Sequence, residues 1–240
     1  MFHDGHYFHD RQISITYEKN EEDSGYKVDF CGGKLPKTMR KLESGEPLRI
    51  TLFGDSISYG ANSSSITNVA PFLPNWAELL VGNLKKHYHD KIEFLNPSVS
   101  GMTARWGAEN AARVAEQNPA DLVIIAFGMN DRNLPEQFGE NIRKIKDAFE
   151  QQCPNAEFIL CATTLPNKRL KNFYCYQDAY ADALYAMSEE GTVVADFGGM
   201  QKFILQTKRF IDTSGNNVNH PNDFMARCHA QLMSDMLIKR

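Results

Sequence analysis

From Leu48 onward the chain repeats one rhythm: a short apolar run, a polar loop, then apolar residues at helical spacing. These strand-like runs, interrupted only by Arg49, Thr51 and Glu93, fall at residues 48–53, 92–95, 122–127, 158–162 and 193–195. Residues 122–127 are apolar at every position, as a strand buried on both faces requires. Between the runs, Trp76, Leu79, Leu80 and Leu84 recur at helical spacing after Pro74. An Ala-rich helix over residues 105–117 stops at Asn118-Pro119. Phe138, Ile142, Ile145 and Phe149 mark one face of the next helix, and Phe173, Tyr176, Tyr180, Leu184 and Met187 that of another. Phe224, Cys228, Leu232 and Met236 stripe a last one. Strands alternating with helices in this way predict an α/β domain over residues 48–240. Its expected architecture is a three-layer, doubly wound sheet of about five parallel strands with right-handed crossovers.

Residues 1–47 read differently. The opening, Met1 to Asp10, is polar, holds His3, His6 and His9, and lacks the apolar stretch of a signal peptide. A polar tail is the plainer reading of those histidines, since no fixed scaffold surrounds them to hold a metal. Residues 12–17 alternate like a strand, 21–25 form a charged turn, and 26–30 read as a second strand. This short N-terminal β extension could not stand alone and should pack on a larger body.

Composition narrows the function classes. The 240 residues are 42% hydrophobic and 23% charged, which excludes wholesale disorder. A net charge of −4 without a basic block argues against nucleic acid or an anionic membrane surface as partner. No apolar run nears the roughly 18 residues that membrane insertion takes. The cysteines number 5, an odd count without CxxC pairs, which suits neither a disulfide framework nor a zinc site. Cys161 and Cys228 sit in apolar patterns and read as core residues. A reducing, cytoplasmic setting is the expectation.

In an open α/β sheet, ligands bind beyond the carboxyl ends of the strands. Gly54-Asp55-Ser56-Ile57-Ser58-Tyr59-Gly60 follows the first strand, Asn96-Pro97-Ser98-Val99-Ser100-Gly101 the second, and Gly128-Met129-Asn130-Asp131 the third. Asn217-Val218-Asn219-His220-Pro221 precedes the last helix. Each piece alone has a structural explanation. Asp55 and Ser56 suit a helix cap; Gly101 and Asn130 suit turns; His220 could simply lead into a helix. Nucleotide binding is poorly supported, because neither Gly-Lys-Ser/Thr nor GxGxxG occurs.

Taken together and in this order, the blocks resemble the SGNH superfamily of GDSL-type esterases and lipases, over residues 48–238. The residues that give that superfamily its letters are here Ser56, Gly101, Asn130 and His220. The resemblance implies a flavodoxin-like hydrolase in which Ser56 is the nucleophile and His220 the base that takes and returns its proton. The amides of Ser56 and Gly101 and the side-chain amide of Asn130 would stabilise the oxyanion. No metal or organic cofactor is implied.

One departure stands out. The family pattern is Asp-x-x-His, and Asn217 occupies the acid's position. Either the site is a Ser56–His220 dyad with Asn217 or a backbone carbonyl as orienter, or another carboxylate substitutes, with Asp212 and Asp223 nearest in sequence. Asp55 and Asp131 read as braces for loops. Arg105 and Trp106 either line a substrate pocket or pack at a helix start. His87, His89 and His229 read as surface or packing residues, and Tyr59, Asn62 and Ser63 to Ser65 as a polar loop near Ser56 that either contacts substrate or is simply solvated.

The wording of the blocks is similar to a subgroup found near carbohydrate-degrading functions, some members of which carry a β-rich domain ahead of the hydrolase. The expected substrate is therefore a small-molecule or saccharide ester, with a sugar acetate preferred. A short-chain thioesterase or lysophospholipase is the alternative within the superfamily. A non-catalytic carbohydrate-binding module is the alternative outside it, and a binder has no need of a nucleophile.

Overall fold

A computed structural model describes residues 25–239. Its centre is a parallel sheet of strands β1 (Leu48–Gly54), β2 (Ile92–Leu95), β3 (Leu122–Ala126), β4 (Glu157–Ala162) and β5 (Thr192–Asp196), in the order β2-β1-β3-β4-β5. Leu48 lies beside Ile92, and Ile50 beside Leu122, so three strands share one level of the sheet. The chain runs outward from β1 to β2 and then crosses to the far side of β1 to lay down β3. That reversal opens a crevice between the carboxyl ends of β1 and β3.

Alternation along the strands supplies two cores. Leu48, Ile50, Leu52, Leu122, Ile124, Ile159 and Cys161 face one side. There they meet helices α1 (Pro36–Ser44), α3 (Trp76–His87), α7 (Phe197–Ile204) and α8 (Asp223–Leu237). Phe53, Val123, Ile125, Phe158 and Leu160 face the other side, under α4 (Ala104–Gln117), α5 (Pro135–Gln152) and α6 (Tyr180–Tyr185). Successive strand residues point to opposite faces, so a sheet covered on both sides must be apolar throughout. No described helix is long and apolar enough to cross a membrane.

The expected elements differ from the structure in the N-terminal segment and in the stretch before α6. Residues 26–30 are irregular rather than a strand. The segment after them is helical: α1 starts with Pro36 at its first turn, ends at Gly45 in the left-handed region (φ 73°), and buries Met39 and Leu42. Residues 12–17 and the three N-terminal histidines lie outside the described residues. The helix expected over residues 173–187 is confined to α6, and residues 173–179 form turns. In that stretch the Gln177 side chain acts as a local hub. Its Oε1 accepts from the Cys175 amide at 2.7 Å, and its Nε2 donates to the Phe173 carbonyl at 3.0 Å. Cys161 is buried as expected, whereas Cys228 is only partly so.

Candidate active site

The first wall of the crevice is the turn from β1 into the short helix α2 (Ser56–Tyr59). Gly54 makes the turn possible. A Cβ there would stand 2.3 Å from both the Ala126 carbonyl oxygen of β3 and the Ser58 hydroxyl, so only glycine lets β1, β3 and α2 meet. Asp55 caps α2, its Oδ1 accepting from the Ile57 amide at 2.9 Å. Ser56 is thus the first helical residue. Amides of a first helical turn have no acceptor within the helix and point outward, a ready source of donors for an anion.

The second wall is the loop after β2. It is pinned at two levels: Val99 N–H donates to the Gly54 carbonyl at 3.1 Å, and Asn96 Nδ2 donates to the Ser58 carbonyl at 2.9 Å. Gly101 follows in the left-handed region at φ 81°. The third wall comes from the end of β3. Asn130 Nδ2 donates to the Met102 carbonyl at 3.0 Å, which locks the amide beside the Gly101 turn. Asp131 accepts the Ala104 amide on both oxygens, at 3.1 and 3.0 Å, and so holds the start of α4. Asp55 and Asp131 therefore brace the backbone around the crevice, and both are almost fully buried. Burial pushes the Asp55 carboxyl up to about 7, against the pull of the Ile57 amide, with the nearby Asp131 charge adding to the rise. Asp131 rises to about 6, again through burial.

His220 arrives from the loop before α8. Asn216 organises that loop: its Oδ1 accepts from the amides of Val218, Asn219 and His220 at 2.9, 3.0 and 3.1 Å. The His220 carbonyl is held by the Ser214 hydroxyl and the Gly215 amide, each at 2.9 Å. Asn222 then caps α8 through the Met225 amide and anchors the loop to the Asp212 carbonyl at 2.9 Å. The outcome is a contact between residues 164 positions apart: His220 Nε2 lies 2.9 Å from Ser56 Oγ. A hydroxyl at hydrogen-bond distance from an imidazole nitrogen is the arrangement from which a base can draw a proton.

The other ring nitrogen corrects the expected orienter. His220 Nδ1 lies 2.6 Å from Asn62 Oδ1 and 3.2 Å from Asn216 Nδ2. Asn217 is elsewhere: its backbone is left-handed (φ 55°), and its carbonyl and Oδ1 accept from Asn167 Nδ2 at 3.0 and 3.3 Å. The ring contacts seen among the described residues include those to Ser56, Asn62 and Asn216, and both proposed substitute carboxylates are engaged elsewhere. Asp212 directs both oxygens to Arg209, and Asp223 directs Oδ1 to the Ser64 amide while its buried Oδ2 has no hydrogen-bond partner among the described residues. Asn62 and Asn216 were not singled out as site residues by sequence. The available signals were an asparagine just past a short helix, suited to a left-handed turn, and a loop carrying asparagine at 216, 217, 219 and 222.

The remaining candidates take structural places. Trp106 packs against Phe53 with ring centres 6.0 Å apart, and Arg105 pairs with Glu109 on the exposed face of α4. His89 Nε2 meets the Lys41 carbonyl at 3.1 Å, and His87 contacts Tyr88. His229 is fully buried, stacked on Phe197 at 4.2 Å. Tyr59 is exposed at the end of α2. Among the described residues, no group of three or more His, Cys, Asp or Glu side chains could hold a metal ion.

The model of the GDSL-like lipase/acylhydrolase family matches residues 52–227, a span that contains every block described above. No curated protein matches the chain. Solved structures share the fold at low identity. One is LAE5, an alpha/beta hydrolase enzyme from the metagenome of Lake Arreo, Spain. It is 17% identical with a TM-score of 0.63, covering 79% of this chain and 94% of that one. A second is the acetylxylan esterase Axe2 of Geobacillus stearothermophilus, 17% identical with a TM-score of 0.66, covering 83% and 97%. A third is a two-domain esterase, CEX, active on acetylated mannans. It is 19% identical with a TM-score of 0.67, and the match takes in 88% of this chain but 53% of that one.

Proposed function

Because this chain belongs to the GDSL-like lipase/acylhydrolase family and is an ester-bond hydrolase, we propose that it removes short acyl groups, acetate foremost, from carbohydrate esters by a Ser56–His220 mechanism. The observation that carries this reading is the 2.9 Å contact between Ser56 Oγ and His220 Nε2. In the first half-reaction Ser56 Oγ attacks the ester carbonyl while its proton passes to Nε2. The carbonyl oxygen becomes an oxyanion, met by the amides of Ser56 and Gly101 and by Asn130 Nδ2. Collapse breaks the bond to the alcohol oxygen, which leaves with the proton from His220. Water then repeats the sequence on the acyl-enzyme and releases the acid.

Two considerations support acetate and sugar over longer chains. The sequence wording around Ser56 and His220 is similar to that of the carbohydrate-associated subgroup. The structures of similar fold include one enzyme described as an acetylxylan esterase and one described as active on acetylated mannans. The test is hydrolysis of p-nitrophenyl esters of increasing chain length, with Ser56→Ala and His220→Ala alongside. The expected result is turnover of the acetate that falls at butyrate and beyond and is lost in both variants. Acetylated xylo- and manno-oligosaccharides are then expected to release acetate. Preference for long chains would overturn the acyl assignment, and full activity in Ser56→Ala would overturn the mechanism.

A further inference from the structure

We propose that Asn62 is the positioning residue of the catalytic pair, accepting the Nδ1–H of His220 on its side-chain oxygen and so leaving Nε2 bare for the Ser56 proton. This deepens the Ser–His reading above and rests on it. A neutral imidazole carries a single N–H, and whichever nitrogen bears it cannot act as base. Nε2 faces Ser56 Oγ, so a competent base must hold its proton on Nδ1, and Nδ1 then needs an acceptor.

Two amide side chains approach Nδ1 with opposite preferences. Asn62 Oδ1 at 2.6 Å favours a protonated Nδ1, whereas an N–H from Asn216 Nδ2, at 3.2 Å, would favour a bare one. Asn216 is not free to choose. Its Oδ1 is committed to the amides of Val218, Asn219 and His220, and its Nδ2 donates to Asn219 Oδ1 at 3.1 Å. One of the two Nδ2 hydrogens goes there, and the other reaches Nδ1 only at 3.2 Å, against 2.6 Å for Asn62 Oδ1. The shorter contact decides the tautomer.

Asn62 is also built to hold still. It is 7% exposed and its backbone is left-handed, φ 65°, a conformation asparagine tolerates better than most residues. The loop around it is fastened on both sides: Ala61 N–H to the Ser56 carbonyl at 2.9 Å, and Ser64 N–H to Asp223 Oδ1 at 3.0 Å. Gly215 lies against it closely enough that a Cβ there would come within 2.8 Å of Asn62 Cβ. The loop after the nucleophile therefore supplies the orienter that family members take from the position of Asn217. An amide oxygen offers direction through its dipole, without the full charge of a carboxylate.

The left-handed backbone selects the test substitutions, because glycine and aspartate both accept φ near 65°. Asn62→Gly removes the acceptor and Asn62→Asp keeps one. With p-nitrophenyl acetate, Asn62→Gly is expected to lower kcat about 10²-fold with KM nearly unchanged. Asn62→Asp is expected to stay within about tenfold of the unaltered protein. Wild-type kcat in Asn62→Gly would overturn the role, as would an Asn62→Asp variant as slow as Asn62→Gly. Should Asn62→Gly fail to fold, by circular dichroism, Asn62→Asp decides alone: near-native kcat supports the role and loss overturns it. Failure of the underlying reading looks different, since activity that survives Ser56→Ala removes the need for any orienter of His220.

Discussion

Asn130 carries two amide hydrogens and the Met102 carbonyl takes one of them at 3.0 Å. That bond fixes the plane of the amide and leaves the second hydrogen for the oxyanion that the proposed mechanism requires. Asn130→Ala should therefore depress kcat about 10²–10³-fold, with little change in KM, in p-nitrophenyl acetate turnover. A proportionate rise in KM instead would mean that Asn130 binds the ground state. At this scale the gathering of Ser56, Gly101, Asn130 and His220 around one crevice was legible because each stands in a short block at a strand end or before a helix. Asn62 was not. Its contact with His220 spans 158 positions, and no local pattern announces which asparagine of a polar loop will turn inward. The expectation placed on Asn217 came from its place in a motif, and a left-handed turn at that residue redirects its side chain to Asn167.

Between elements, the tightest junction is where β1, β3 and α2 meet at Gly54. Gly54→Ala puts a methyl group 2.3 Å from the Ala126 carbonyl oxygen, which is backbone and cannot swing aside. Overpacking of this kind destabilises by about 1–3 kcal/mol. The expected result is a fall of several degrees in Tm together with weakened turnover, since the same displacement carries Ser56 away from His220. An unchanged Tm would show that the junction has slack. The strands were legible because a sheet covered on both faces forces continuous apolar runs. Helices at the margins were harder for specific reasons. No helix was expected directly after residues 193–195, yet Asp196 caps α7 through the Gly199 amide at 2.7 Å. The α1 signals were present, with Pro36 leading and Leu35, Met39 and Leu42 at helical spacing, but the aromatic residues of 26–30 suggested β structure. Strand propensity needs a neighbour to pair with, and residues 26–30 form no strand.

Across the whole molecule, buried ionisable groups set how stability responds to pH. Burial lowers the His229 imidazole from 6.5 to about 3, and both ring nitrogens lack hydrogen-bond partners among the described residues. The unfolded chain therefore takes up a proton below pH 6.5 that the folded chain refuses. Stability from this residue is complete above 6.5 and is lost as pH falls toward 3, at about 1.4 kcal/mol per pH unit. Asp55 and Asp131 act oppositely. Their raised carboxyls contribute stability that is full below 3.8 and lost as pH rises through about 6 to 7. His229→Phe keeps a ring beside Phe197 and removes the titration, so its urea midpoint should drop less than the wild type's between pH 6 and 4, by about 2–3 kcal/mol in stability. Parallel curves would show that the protonated imidazole finds a hydrogen-bond acceptor or water in the folded protein.

The chemistry proposed for the crevice reduces to whether Ser56 is an activated nucleophile, and a fluorophosphonate reads that without knowledge of the natural ester. Its phosphorus bonds to a nucleophilic serine oxygen as fluoride leaves, so intact mass and peptide mapping report both stoichiometry and position. The expected result is one equivalent on Ser56, absent in Ser56→Ala and strongly slowed in His220→Ala. Labelling at another residue, or none while p-nitrophenyl acetate is turned over, would contradict a Ser56–His220 esterase.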